Sequence, residues 1–157
     1  MRITFLDLND ESLRLAEQHL MERGMEGKTV TGNVHALPFQ DESFDLVVSR
    51  GSMPFWEDQE KAFLEIWRVL KPEGMAYIGV GYGSSELRED IRKKLKKKDG
   101  EKGGLRIRGK ETYMYPDNEP YRRILENLRA FYKIYDNDNE GRWFLFGKAC
   151  QGHFSCP

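Results

Sequence analysis

The sequence predicts an open α/β fold: a mostly parallel twisted sheet flanked by helices, finished by an antiparallel C-terminal hairpin. Three observations carry this. Short apolar runs alternate with stretches of helical periodicity through the first half of the chain. The run Phe44–Ser49 (FDLVVS) is apolar enough to be covered on both faces, as strands of parallel sheets are. The last two apolar runs are separated only by the turn-rich segment Asp136-Asn137-Asp138-Asn139-Glu140-Gly141, which favours an antiparallel pair. With 157 residues, 39% hydrophobic and 32% charged, the chain can bury a core as one domain. That domain is expected over residues 1–149, with a basic helix and loop at 85–112 and a tail at 150–157.

The elements follow in order. Ile3–Leu8 is the first strand. Asn9 can cap the next helix, and Asp10 and Glu11 stand in its first turn, where the helix dipole favours acids. Leu13, Ala16 and Leu20 recur at helical spacing, and Gly24 supplies the stop. Lys28–Gly32 is the second strand. A loop through Leu37-Pro38-Phe39 and Asp41-Glu42-Ser43 leads to the third strand, Phe44–Ser49. Asp58 can cap a helix with Ala62, Phe63, Ile66, Val69 and Leu70 on one stripe, ended by Pro72 and Gly74. Met75–Val80 is the fourth strand. Ser84 or Ser85 opens a helix with a narrow Leu87, Ile91, Leu95 seam, broken by Gly100, Gly103 and Gly104. Pro120 sits near the start of a helix running through Leu128. Ala130–Tyr135 and Trp143–Ala149 are the closing strands.

Charge narrows the partners. The net charge is −1, so nothing pulls the whole chain towards nucleic acid or anionic lipid. Residues 1–84 carry 8 basic and 14 acidic groups, whereas residues 85–110 carry 11 basic and 5 acidic ones. The basic run Arg92–Lys98 lacks the interleaved aromatics that stack on bases, so it reads as a solvated face rather than a nucleic-acid site. No apolar run approaches the length of a membrane span, and the N-terminus turns acidic too soon for a signal peptide. The two cysteines, Cys150 and Cys156, exclude a disulfide scaffold and point to a reducing cytoplasm. Together with His153 they are soft metal ligands, but a frayed tail is the plainer reading, and no metal is expected.

In open α/β sheets, ligands sit at the carboxyl ends of the strands, and three polar groups fall there. Asp7 ends the first strand, where an acid can accept hydrogen bonds from both hydroxyls of a ribose. Asn33 follows the second strand and offers an amide donor and acceptor to an adenine edge. Ser49 and Arg50 end the third. Met53, Phe55 and Trp56 come next, in a loop that could grip an apolar or planar substrate. Tyr82 stands after the fourth strand. His35 is a candidate base, although a plain surface imidazole is the simpler reading.

Three stretches, FLDLNDESLRLAEQHL, TGNVHALPFQDESFDLVVSRGSMPFWED and KAFLEIWRVLKPEGMAYIG, resemble the middle of a class I S-adenosylmethionine-dependent methyltransferase. The similarity runs from Ile3 to about Gly83, and Trp143–Lys148 is similar to the last strand of that fold. The resemblance implies S-adenosylmethionine as cofactor. It implies that Asp7 binds the ribose, that Leu8 packs on the adenine, and that Asn33 with the Val34 backbone meets the adenine edge. Ser49 and Arg50 would lie near the methionine moiety, and no obligatory catalytic side chain is implied.

Family members begin with a strand that ends in a glycine-rich loop and leads into a helix. This chain starts at what would be their second strand. The absent strand would lie between Ile3–Leu8 and Phe44–Ser49. Buried backbone groups left unpaired cost about 1–3 kcal/mol each, so the gap cannot simply stay open. Either those two strands close up and pair, or another chain covers the gap as in a homodimer, or the sequence belongs to a longer protein. Gly79-Val80-Gly81-Tyr82-Gly83 imitates the glycine loop, but no acid-ended strand follows it. These glycines read as the end of the fourth strand and a thin pocket wall. Two functions are therefore expected: methyl transfer to a small molecule, or a non-catalytic methyltransferase-like domain that binds a partner.

Overall fold

A computed structural model describes residues 2–81, 84–87, 89–90, 93–94, 114–137 and 141–148. Tyr82, Tyr113, Cys150, His153, Cys156 and most of the basic block lie outside the described residues.

The first unit is a strand–helix–strand. β1 (Ile3–Asp7) pairs in parallel with β2 (Gly27–Thr31) through α1 (Asp10–Glu22). The Asn9 side chain caps α1, accepting from the backbone N–H of Glu11 at 2.8 Å and of Ser12 at 3.4 Å. Leu13 and Leu20 are the buried residues of the helix. Gly24 ends it with φ +61°, a left-handed turn in which the N–H of Met25 reaches back to the Leu20 carbonyl at 2.9 Å. Gly27 passes directly beneath Leu20, where a Cβ would stand 2.7 Å from a Leu20 methyl. The Thr31 hydroxyl donates to Asp10 at 2.6 Å and ties the end of β2 to the start of the helix.

The second unit is a four-stranded sheet in the order β3–β4–β6–β5. β3 (Phe44–Arg50) and β4 (Leu70–Val80) are parallel and joined through α2 (Gln59–Val69), whose cap is Asp58. α3 (Glu119–Asn127) follows, then β5 (Phe131–Asn137) and β6 (Gly141–Gly147), antiparallel to each other, with β6 antiparallel to β4. Residues 85–87, 89–90 and 93–94 are helical. β4 starts five residues earlier than its apolar run predicts. Leu70 is already extended and pairs with Phe44, and a register irregularity follows before Leu46 pairs with Met75. The closing hairpin is tighter than expected, because Asp136 pairs with Arg142 and Asn137 with Gly141, and Arg142 adds a 2.8 Å ion pair to Asp136.

The core lies between this sheet and helices α2 and α3. Phe63 is its centre, stacked on Phe146 at 5.3 Å and edge-on to Phe144 at 5.5 Å, with Tyr121 against both Phe63 and Phe144. Ala76, Ile78 and, partly buried, Val47 complete that face. The opposite face differs from the expectation that β3 is covered on both sides. Leu46 and Val48 are 59% and 62% exposed, because among the described residues no helix lies over them. Trp143, stacked on Tyr77 at 5.0 Å, is buried on that side. Gly79 lies beneath it within β4, rather than thinning a pocket wall. A Cβ there would come 2.3 Å from the Arg142 carbonyl oxygen and 2.8 Å from Trp143.

The two units form separate sheets. Among the described residues β1 has only β2 as a neighbour and β3 only β4, so the closure of β1 onto β3, one of the alternatives the sequence leaves open, does not occur. In the segment between β2 and β3, Pro38 packs close to Gly32, where a Cβ would stand 3.0 Å from Pro38 and 3.0 Å from a Leu6 methyl. Arg68 of α2 fixes the same segment through the carbonyls of Leu37 at 3.0 Å and Phe39 at 2.8 Å.

Candidate cofactor cleft

A cleft of about 670 Å³ runs between β1 and β3. Its mouth is polar and its depth apolar. Asp7 and Leu8 at the end of β1, Asn33 and Val34 after β2, and Ser49 and Arg50 at the end of β3 all line it. Thr4 and Leu6 of β1 line it further down, as do Phe44 and Leu46–Val48 of β3, with Ile66 and Val69 from α2. The topology thus gathers six residues singled out in the sequence at one mouth.

Asp7 is exposed. One carboxylate oxygen accepts from the N–H of Asn9 at 2.9 Å, and its backbone carbonyl accepts from Gly32 N–H at 3.0 Å. The other carboxylate oxygen has no hydrogen-bond partner among the described residues, so it can accept from a ligand hydroxyl. Leu8 beside it is 69% exposed, an apolar surface at a polar rim. The Asn33 side-chain oxygen accepts from the N–H of His35 at 2.9 Å, which leaves the NH₂ group to donate into the cleft. The Ser49 and Ser52 hydroxyls are 2.5 Å apart, and Gly51 between them has φ +83° and donates to the Gly79 carbonyl at 2.8 Å.

The other candidates separate. Phe55 is exposed and Trp56 buried, and both line the cleft. Met53 is fully buried in the core and outside the lining. His35 lines the cleft, but its Nε2 accepts from the N–H of Asp58 at 3.2 Å, so this nitrogen anchors the start of α2. No group of three or more metal-ligating side chains occurs among the described residues. None of their helices is long and apolar enough to cross a membrane.

Three residues that shape the cleft escape sequence reading. Buried Gln59 donates to the carbonyls of Met53 at 2.8 Å and Trp56 at 2.9 Å, and accepts from the Tyr121 hydroxyl at 3.3 Å. That hydroxyl also accepts from the N–H of Tyr115, and burial pushes its pKa up to about 12. Glu65 accepts from the N–H of Leu37 at 2.7 Å and from Arg68 through both oxygens at 2.8 and 2.9 Å. The Arg68 bond, followed by the Leu37 bond, holds the Glu65 carboxyl below its ordinary value against the opposing effect of burial. Arg68 in turn is raised by Glu65 and Asp41. Only the three-residue spacing of Glu65 and Arg68 on one helix hints at their pairing.

Residues 1–78 match the methyltransferase domain family. A ubiquinone/menaquinone biosynthesis C-methyltransferase of Shewanella halifaxensis is 26% identical over 155 residues, covering 89% of this chain. The chain spans 61% of that relative's length. The enzyme of the same name from an Enterobacter strain is 36% identical over 79 residues, covering 49% of this chain and 32% of its own. Among solved structures, a protein from Methanococcus maripaludis designated an S-adenosyl-L-methionine-dependent methyltransferase superposes with TM-score 0.76 at 32% identity. It matches 95% of this chain and 68% of its own. A Pyrococcus horikoshii protein shares the fold at TM-score 0.69 and 17% identity, over 95% of this chain and 74% of its own. The matched sequence, the matched fold and the gathered strand-end residues agree: this chain belongs to the class I S-adenosylmethionine-dependent methyltransferases.

Proposed function

We propose that this chain forms the cofactor-binding part of a cytoplasmic enzyme that transfers a methyl group from S-adenosylmethionine to a small molecule, within a longer or complemented protein. The observation that carries this is the meeting of Asp7, Asn33 and Ser49, from the ends of three different strands, at one cleft mouth. The donor set suits the cofactor. The second oxygen of Asp7 accepts from ribose hydroxyls, Leu8 offers a flat apolar contact to adenine, and Asn33 with the Val34 backbone meets the adenine edge. Ser49 and Arg50 face the methionine end. S-adenosylmethionine supplies a methyl group already activated by its sulfonium charge. The chain's own residues therefore need mainly to orient the partners in line and exclude water. Trp56 and Phe55 form the apolar wall that would do both for an apolar or planar acceptor. The relatives' printed name gives carbon as the atom they methylate, which is compatible with such a wall.

The test is calorimetric titration of S-adenosylhomocysteine into the purified full-length protein and its Asp7→Asn variant. Asparagine keeps the oxygen that holds the Asn9 turn and removes the charge. Losing a charged acceptor is worth about 1.5–3 kcal/mol, or roughly 10- to 100-fold in affinity. Equal affinities would remove Asp7 from the site. The unpaired edges of β1 and β3 favour one other reading, a non-catalytic domain that binds a partner. Absence of any cofactor binding by the full-length protein would support it.

A further inference from the structure

Among the described residues the cleft lining holds two acids, Asp7 and Glu57, and one Lys or Arg side chain, Arg50. The cofactor reading uses Asp7, and Arg50 is engaged in an interaction of its own. The Glu57 carboxylate has no hydrogen-bond or ion-pair partner among the described residues. Other acids are tied down: Asp41 and Glu65 to Arg68, Asp45 to Lys71, and Asp136 to Arg142. Yet the backbone around Glu57 is pinned on both sides. Before it, the Trp56 carbonyl accepts from the Gln59 amide at 2.9 Å, and the same nitrogen donates to the Met53 carbonyl at 2.8 Å. Buried Gln59 thus gives both amide donors to the turn that carries Phe55 and Trp56. After it, the N–H of Asp58 donates to His35 Nε2 at 3.2 Å, and Asp58 caps α2 through the N–H of Lys61 at 2.9 Å. Every lining residue falls within residues 1–84, which carry 8 basic and 14 acidic groups, so the field at the cleft favours cations.

We infer that Glu57 sets acceptor specificity: it faces a cationic nitrogen of the methyl acceptor, whose apolar or aromatic body lies on Phe55 and Trp56. The inference deepens the methyl-transfer reading and rests on it. An aromatic ring and a carboxylate side by side suit such a group, the ring through its negative face and the acid through its charge. Phe55 is 53% exposed, so its ring is open to a ligand, whereas buried Trp56 gives the wall its depth. His35 does not compete for the acid, because a ring that accepts a hydrogen bond at Nε2 is neutral. A protonated or quaternary nitrogen has no lone pair with which to attack the sulfonium methyl. The methylated atom is therefore another atom of the acceptor, and Glu57 is a binding residue rather than a base. Its charge also offsets the repulsion between the acceptor's cation and the sulfonium.

The test titrates three probes into the full-length protein without cofactor: benzylamine, which is protonated at neutral pH, neutral benzyl alcohol, and benzoate. Amide NMR signals of residues 55–57 report where each binds. The expected result is that benzylamine binds about three- to tenfold more tightly than benzyl alcohol, with benzoate weakest. Glu57→Gln should abolish that preference, and Phe55→Ala should weaken the amine and the alcohol together. Both side chains are exposed, so the variants keep the fold. S-adenosylmethionine carries positive groups of its own, so it and S-adenosylhomocysteine are titrated into wild type and Glu57→Gln, with unchanged affinities expected. Weaker binding of either cofactor form by the variant would assign Glu57 to the cofactor and overturn the proposal. So would no preference for the amine, a preference that survives Glu57→Gln, shifts that miss residues 55–57, or no binding of any probe. Failure of the probes with cofactor binding intact sinks this inference alone. Absence of cofactor binding by wild type sinks the methyl-transfer reading beneath it.

Discussion

Replacing Arg68 by methionine should loosen the segment that joins the two sheets, and the size of the effect follows from its contacts. The guanidinium bonds Glu65 through two nitrogens at 2.8 and 2.9 Å, Asp41 at 2.7 Å, and the carbonyls of Phe39 and Leu37 at 2.8 and 3.0 Å. Asp41 is largely exposed, so that pair contributes at most about 1 kcal/mol. The Glu65 pair and the two carbonyl bonds are better shielded, with side-chain exposures of 30% for Arg68 and 19% for Glu65. Each charged hydrogen bond is worth about 1.5–3 kcal/mol before screening, and bonds from one guanidinium do not add. A net loss of about 2–3 kcal/mol is expected once partial exposure is allowed for. For a chain of this size that corresponds to a fall in Tm of about 4–12 °C. Urea unfolding and calorimetry measure it, with methionine keeping the apolar stem so that packing is not the cause. The acid limb is an internal check. Glu65 titrates below its ordinary 4.5 in the folded state, so its share of stability is present above that pH and is lost as pH falls through the lowered value. The gap between wild type and variant should therefore narrow below pH 4.5. A loss under about 1 kcal/mol, or a gap that stays constant into acid, would refute the reasoning.

Two further substitutions probe the framework. Tyr121→Phe removes the hydroxyl that donates to Gln59 and accepts from Tyr115, and should cost about 1–2 kcal/mol at neutral pH. Because burial raises the tyrosine to about 12 from 10.0, its share of stability is present below pH 10 and is lost as pH rises towards 12, so the variant should show a flatter alkaline decline in urea midpoint. Gly79→Ala places a methyl group against the Arg142 carbonyl and Trp143 and should destabilise by about 1–3 kcal/mol or more, with a changed near-UV signal from Trp143. An unchanged midpoint would show that β4 and β6 can separate there at no cost.

Much of this molecule is local, and what is local was legible in the sequence. Asn9 and Asp58 cap the helices their sequence contexts announce, because an N-cap is a contact across two or three residues. The Phe63, Ile66, Val69 stripe faces the core because helical period alone fixes it. Asp7, Asn33 and Ser49 meet because parallel strands bring their carboxyl ends to one side. What the sequence does not show depends on partners far along the chain. Arg68 reaches back to Leu37 and Phe39, and Gln59 meets Tyr121 across the core. Neither has a pattern short enough to recognise. The gap between β1 and β3 was legible only through the family resemblance, and whether the two strands close up across it was left open, because strand pairing is a long-range choice. Met53 was ambiguous between pocket and core for a related reason: aromatic and thioether side chains suit both, and its complete burial in the core decides it.

The proposed cofactor binding draws on the cleft between β1 and β3 from its mouth to its depth. On the proposed reading Asp7 and Asn33 hold one end of S-adenosylmethionine, and its methionine end needs contacts beyond those two residues. Contacts to one linked ligand reinforce one another, so half a site loses far more than half the affinity. The most direct measurement is calorimetric titration of S-adenosylmethionine into the 157-residue chain, with its mass followed by light scattering in the same buffer. The expected result is weak or undetectable binding, with self-association through the open edges. A monomer that binds S-adenosylmethionine at micromolar affinity, with the edges of β1 and β3 still unpaired, would contradict it.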